Sequence, residues 1–278
     1  MNWDVISTLV WRDLRIVVRS KAVMIPLVML PLILLVLLPG IGGAVLANLD
    51  PEAAAITDMR TDLDLFFENL PASIADEVAG YDPVQEVIYL TFAYFFAPLF
   101  LIVPVMVANV IAADSFVGEK ERKTLEALLY TPTTDRELYI AKLLAPWVAA
   151  VAVTVGGALL YAVIINVVAW PAMGEVFLPN LSWVLLVLWV SPAASGLGLT
   201  AMVLVSARVN TFQEATQLGG VVILPILLLV FGQVGGVLYF SPLVTVGLGL
   251  VLWVIVGGMV WFGTRTFTRG ALLSQGGV

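Results

Sequence analysis

The chain has 278 residues, of which 61% are hydrophobic and 12% charged, with no cysteine, no histidine and a formal net charge of −7. A soluble domain is nearer half apolar and a quarter charged, so lipid is the expected solvent of this chain. Without cysteine or histidine there are no disulfides, thiolate zinc sites, imidazole metal ligands or Ser-His and Cys-His nucleophile pairs, which removes most hydrolase chemistry.

Residues 1–21 read as an amphipathic interfacial helix. Asp4, Thr8, Arg12, Arg15 and Arg19 fall on one face, and Ile6, Leu9, Val10, Leu14 and Val17 on the other. Such a helix lies flat on the inner leaflet, where plain anchoring and a mechanical role fit the residues equally well. A spanning helix needs about 20 mostly apolar residues. Six stretches supply them: 23–47, 87–113, 143–169, 183–207, 218–238 and 243–262, none containing Asp, Glu, Lys or Arg. The first, within segment 22–47, is about twice the length of a signal-peptide core and lacks a small-x-small cleavage site, so it reads as retained. Pro26, Pro31, Pro98, Pro104 and Pro225 lie inside these runs and predict kinks rather than breaks, because neighbours in lipid satisfy the freed carbonyls.

Segment 48–86 carries ten carboxylates, with Leu63, Phe66, Phe67, Leu70, Ile74 and Val78 at helix-like spacings. Two short amphipathic helices around Pro71 are expected. The plainer reading of the acids is a solvating surface, the sharper one recruitment of cations or a basic substrate. Their spacing is not that of a calcium loop.

The second run, 87–113, leads into the most highly charged part of the chain, 114–142. Glu119 and Lys123 form a favourable (i, i+4) pair, and Leu125, Leu128 and Leu129 form a short apolar face, predicting a small exposed amphipathic helix. Thr131-Pro132 ends it, and Thr134 with Glu137 reads as a capping box that starts the helix entering the third run. The same residues also suit a solvated connector whose charges enforce topology.

Residues 143–264 hold the remaining four runs. Asn109, Asn166 and Gln233 are the strongest hydrogen-bonding side chains in the spans, and small residues recur four apart at Ala152 and Gly156 and at Gly196 and Thr200. Close helix packing is the simplest account, with Asn109 and Gln233 lining a substrate path as the alternative. From 218 to 262 there is no charge, and Gly232, Gly235, Gly236 and Pro242 interrupt the pattern. Either two full spans with a minimal loop, or a re-entrant piece near 233–242, fits this stretch.

Of the 13 basic residues, twelve fall on one side of the six spans and only Arg60 on the other, with most acids. Short cytoplasmic loops retain Lys and Arg, so both termini, including tail 265–278, are expected in the cytoplasm of a multi-pass cell-membrane protein. The expected fold is all-α and integral to the membrane: six transmembrane helices, an N-terminal interfacial helix, a cytoplasmic helical loop and a small helical extracellular segment.

The run Gly118-Glu-Lys-Glu-Arg-Lys-Thr-Leu-Glu-Ala-Leu-Leu-Tyr-Thr-Pro132, followed by Arg136-Glu-Leu and Lys142-Leu-Leu, resembles the signature of ABC-2 type transporter permeases. Lys123 stands where glycine is commoner before the threonine. The basic N-terminal segment, the six spans, the outer segment and the Phe240-Ser-Pro-Leu243 turn extend the resemblance over essentially the whole chain. In such permeases the loop resembles a coupling helix docked on a separate ATPase. The resemblance therefore implies an ATPase-coupling role for Glu119, Glu121, Arg122, Thr124, Leu125 and Glu126. It also implies two ATPase subunits, a second permease that is most simply another copy, and an exporter. No Gly-x-x-x-x-Gly-Lys-Ser/Thr occurs, so ATP and magnesium belong to the partner and this chain binds no cofactor.

Two other classes fit less well. An ion-driven carrier or channel working without ATP normally places ionisable groups within its spans, and these runs have none. An intramembrane enzyme lacks any acid, base or metal set here. No nucleic-acid partner is expected.

Overall fold

The computed structural model describes residues 3–50, 54–62, 70–122 and 134–266. Helices make up nearly all of it, and six are long and apolar enough to cross a membrane. These are span 1 (Val23–Leu46), span 2 (Pro83–Glu121), span 3 (Arg136–Met173), span 4 (Leu181–Ser206), span 5 (Phe212–Val234) and span 6 (Pro242–Thr264). A seventh helix, Trp3–Arg19, precedes them and packs along span 3. Residues 235–241, between spans 5 and 6, hold no helix.

Spans 2 and 3 have 39 and 38 residues, roughly 58 Å of helix each at 1.5 Å per residue, against an apolar layer of about 30 Å. They project well beyond lipid. The projecting ends carry Asp114, Glu119 and Lys142, which the purely apolar runs leave out.

The prolines stand within these spans without breaking them. Four irregular turns lie just upstream of a proline: a π turn at Leu32–Leu37 before Pro39, another at Leu90–Phe95 before Pro98, another at Leu186–Val190 before Pro192, and a 3-10 turn at Gly220–Ile223 before Pro225. Proline has no N–H to give the carbonyl four residues back, so the helix changes its turn there and other donors reach the carbonyls. In span 2 the Tyr161 hydroxyl donates to the Phe92 carbonyl and the Trp183 indole to that of Ala93, both at 2.7 Å. In span 4 the Ser191 hydroxyl donates to the Leu186 carbonyl at 2.9 Å.

Spans 2 and 4 form the centre. Within their most apolar stretches 72% and 67% of residues are buried, against 17% in each of spans 1, 5 and 6. Span 4 packs face to face on span 2 and, on another side, on span 6, where a Cβ at Gly196 would stand 2.9 Å from Val256. Thr200, one turn on, donates to the Gly196 carbonyl at 2.8 Å. The small-residue spacing here does mark close packing. At Ala152 and Gly156 it does not: both are exposed, and a Cβ on Gly156 would meet nothing within 4 Å. The adjacent Gly157 is the close contact, against Leu35. Equal spacing fixes a helix face but not whether another helix covers it.

At the end of the bundle rich in acids, helices Ala54–Asp62 and Ala72–Val78 turn Ile56, Ile74 and Val78 inward. Leu63, Phe66 and Phe67 lie outside the described residues. Asp82 opens span 2 as an N-cap with Gln85 completing a capping box.

Candidate functional site

The polar chemistry gathers at the two ends. At the basic end, span 2 continues past its apolar part through a π turn, Asp114–Gly118, into Glu119–Glu121. Span 3 starts nearby because Thr134 caps it: the Thr134 hydroxyl accepts from the Glu137 amide at 3.3 Å, and Glu137 accepts in return from the Thr134 amide at 3.0 Å. Two turns into span 3, Lys142 points inward and is only 1% exposed.

Lys142 Nζ donates to Glu119 Oε2 at 2.7 Å and to the Ser115 carbonyl at 2.8 Å, and stands 5.6 Å from the centre of the Phe116 ring. Glu119 is 6% exposed, and its other oxygen lies 3.5 Å from Arg12 Nη2 on the N-terminal helix. Arg12 also grips the buried Asp13, its Nε donating at 3.0 Å. Two cations and two carboxylates therefore meet in one junction, three of them buried and Arg12 half-exposed at its rim, so that each buried charge has a partner of opposite sign. One cluster joins the N-terminal helix, the end of span 2 and the start of span 3.

Around it the remaining charges fasten one carboxylate and two backbone groups. Arg122 donates to the buried Asp114 at 2.9 Å across Gly118, where a Cβ would come within 2.8 Å of the Asp114 carboxylate. Lys120 donates to the Val209 carbonyl, and Glu121 accepts from the Phe212 amide at the start of span 5.

Glu119, Glu121 and Arg122 thus sit at the base of the signature loop, with their side chains turned toward the bundle. Thr124, Leu125 and Glu126 lie outside the described residues, as do Lys123, Leu128 and Leu129. Helical spacing alone pairs Glu119 with Lys123; its described ionic partners are Lys142 and Arg12. The burial of Lys142 has one signal in the sequence, a lone lysine at the head of a long apolar run. Asp13 has none.

Asn109 and Gln233 are both buried but are not together. Asn109 donates to the Gly219 carbonyl at 3.0 Å, crossing from span 2 to span 5 where Gly198 of span 4 also comes close. Gly219 and Gln233 are fourteen residues apart on span 5, roughly 21 Å of helix. The Gln233 amide has neither donor nor acceptor satisfied among the described residues. Asn166 ties its own span to the following loop, its amide donating to the Leu178 carbonyl and accepting from the Phe177 and Leu178 amides.

At the acidic end, the solvent-exposed Glu77 accepts hydrogen bonds from two buried phenols of span 2, Tyr89 at 2.6 Å and Tyr94 at 2.5 Å. Tyr81 donates to Glu175 at 2.7 Å, linking the acidic helices to the loop between spans 3 and 4. Burial, and then the Glu175 carboxylate, push the Tyr81 phenol up to about 12.

The family model for ABC-2 family transporter proteins matches residues 7–263, which takes in most of the N-terminal helix, spans 1 to 5 and span 6 up to its last residue. The chain belongs to the ABC-2 transporter family. This ABC-2 chain is accordingly a multi-pass transporter permease, and membership implies association with an ABC ATPase. The family is a membrane transport component and generally non-catalytic. No curated protein and no solved structure gives a significant match to it.

Proposed function

We propose that this permease is the transmembrane half of an ATP-driven exporter, working with a second copy of itself and two ATPase subunits. The basic end faces the cytoplasm, in keeping with the twelve basic residues that the sequence assigns to that side of the six spans. The loop after Glu121 is the segment that couples to the ATPase, through Thr124, Leu125 and Glu126.

The observation that carries this reading is the buried Lys142–Glu119 pair, with Arg12 at its rim, at the root of that loop. A push delivered beyond Arg122 enters a charge cluster shared by the N-terminal helix and spans 2 and 3, so those elements move as one body. Glu119, Glu121 and Arg122 act as the root that passes the movement on. The sparsely buried faces of spans 1, 5 and 6, which on span 5 expose Leu218, Val221, Leu224, Leu228 and Phe231, leave room for lipid and for the second copy. The exporter direction follows the family resemblance.

The test is a double replacement, Leu125→Ala with Glu126→Gln, in the full chain co-expressed with its ATPase. The expected outcome is lost co-purification and lost ATP-driven transport at an unchanged thermal midpoint. If the ATPase still co-purifies and transport persists, the coupling assignment is wrong. Transport that continues in vesicles without ATP would favour an ion-coupled carrier instead.

A further inference from the structure

A groove of about 520 Å³ runs along the N-terminal helix, lined by Ser7, Thr8, Trp11, Arg12, Arg15, Ile16 and Arg19. The numbering alternates steps of one and three, so a single helix face presents all seven over three turns. Three arginines line it, in unequal states. Arg12 is committed to Asp13 and Glu119, whereas Arg15 and Arg19 form no hydrogen bond or ion pair among the described residues.

Unpaired arginines on a helix suit either water or an anion. The setting of this pair favours a particular anion. Arg19 ends its helix, only Ser20 is non-helical, and Lys21 begins the helix whose apolar span starts at Val23. Arg19 therefore sits where the apolar layer begins, with Arg15 one turn away, the depth at which lipid phosphates lie. Beside them Trp11, Ile16 and Val18 are 63%, 40% and 67% exposed, large apolar groups that an aqueous surface would not favour and a headgroup boundary would. Guanidinium is also the side chain whose planar fork matches a phosphate.

We propose that this groove is a binding site for the phosphate of an anionic lipid in the leaflet at the basic end, gripped by Arg15 and Arg19 with Trp11 and Ile16 against the upper acyl chain. The same groove presents Arg12, so the charge of its occupant acts on the partner of Glu119. This goes beyond the transporter reading and does not depend on ATP or on a partner subunit.

The experiment is native mass spectrometry of the full chain purified in nonionic detergent, with equimolar phosphatidylglycerol and phosphatidylcholine added. Wild type is expected to retain the anionic lipid preferentially. Arg15→Gln with Arg19→Gln is expected to cut that preference roughly 25-fold, about fivefold for each basic residue removed from beside an anionic surface. Arg208→Gln is expected to leave it unchanged, and Arg15→Lys with Arg19→Lys to keep most of it, which separates lost charge from lost folding. Equal retention by wild type and the Gln double variant overturns the site. Displacement of the lipid by millimolar inorganic phosphate overturns the lipid as its source. A Gln double variant that keeps the lipid but loses the ATPase makes the face a protein dock and also overturns the proposal. Unaltered lipid preference in a chain that transports without ATP sinks only the exporter reading.

Discussion

Each end of the bundle is fastened through a glutamate, and the two are fastened in opposite ways. Glu119 at the basic end is buried and met by cations, Lys142 and Arg12. Glu77 at the acidic end stays exposed and is met by neutral phenols, Tyr89 and Tyr94. The first arrangement removes charge from water and holds only while every partner is present. The second leaves the carboxylate hydrated, so the loss of one phenol is absorbed by water. The basic end is therefore the brittle one and the acidic end the forgiving one.

The sharpest way to break this contrast is Lys142→Met. It leaves the buried Glu119 carboxylate short of a cation and is expected to destabilise the protein by about 3 kcal/mol, read as a lowered thermal midpoint in detergent. The double variant Glu119→Gln with Lys142→Met should regain most of that loss, and a double variant no better than the single one would show that the pair is not the cause. Between the two ends, Gln233→Met replaces an amide that has no partner among the described residues, and is expected to stabilise by about 1 kcal/mol. A fall in the midpoint would mean that the amide is satisfied after all, and a rise together with slower transport would support its place on a substrate path. Tyr94→Phe should cost about 1 kcal/mol, well below Lys142→Met, because Glu77 keeps Tyr89 and water; a comparable loss would erase the distinction between the ends.

A further effect is one of pH. The fold favours the neutral Tyr81 phenol, whose ionisation is raised to about 12 from the ordinary 10.0. Above 10 the unfolded chain has released this proton while the folded one still binds it, so stability falls as pH rises from 10 towards 12. Tyr81→Phe should flatten that part of an alkaline stability profile and leave the profile below pH 10 unchanged.

Much of the architecture was legible because lipid imposes a simple rule: a long apolar run becomes a span, and each of the six expected runs falls on one of six helices. The capping box of Thr134 and Glu137 was equally readable, since a cap is local. The charged junction was not. Hydropathy assigns Asp114, Glu119 and Lys142 to a loop, whereas spans 2 and 3 run on through them, because charges that neutralise one another can follow a helix into a buried junction. Which lysine faces Glu119 depends on how two helices cross, and no spacing within either reveals it. For the same reason Gly196 was readable as a contact and Gly156 misleading. The prolines marked where helices would deform, but the kind of turn depends on the donors opposite, such as Tyr161 and Trp183.

The deformed turns also prepare the bundle for movement. A π turn holds one residue more than the α turns around it, and an α-helix advances about 100° per residue. Shifting such a turn along its helix re-phases the residues it passes by that angle while most backbone bonds persist. Spans 2 and 4, the pair that meets at the centre, both contain one. The tightly packed core is thus built from rods with a ready-made swivel, able to change which side chains face the middle without unwinding.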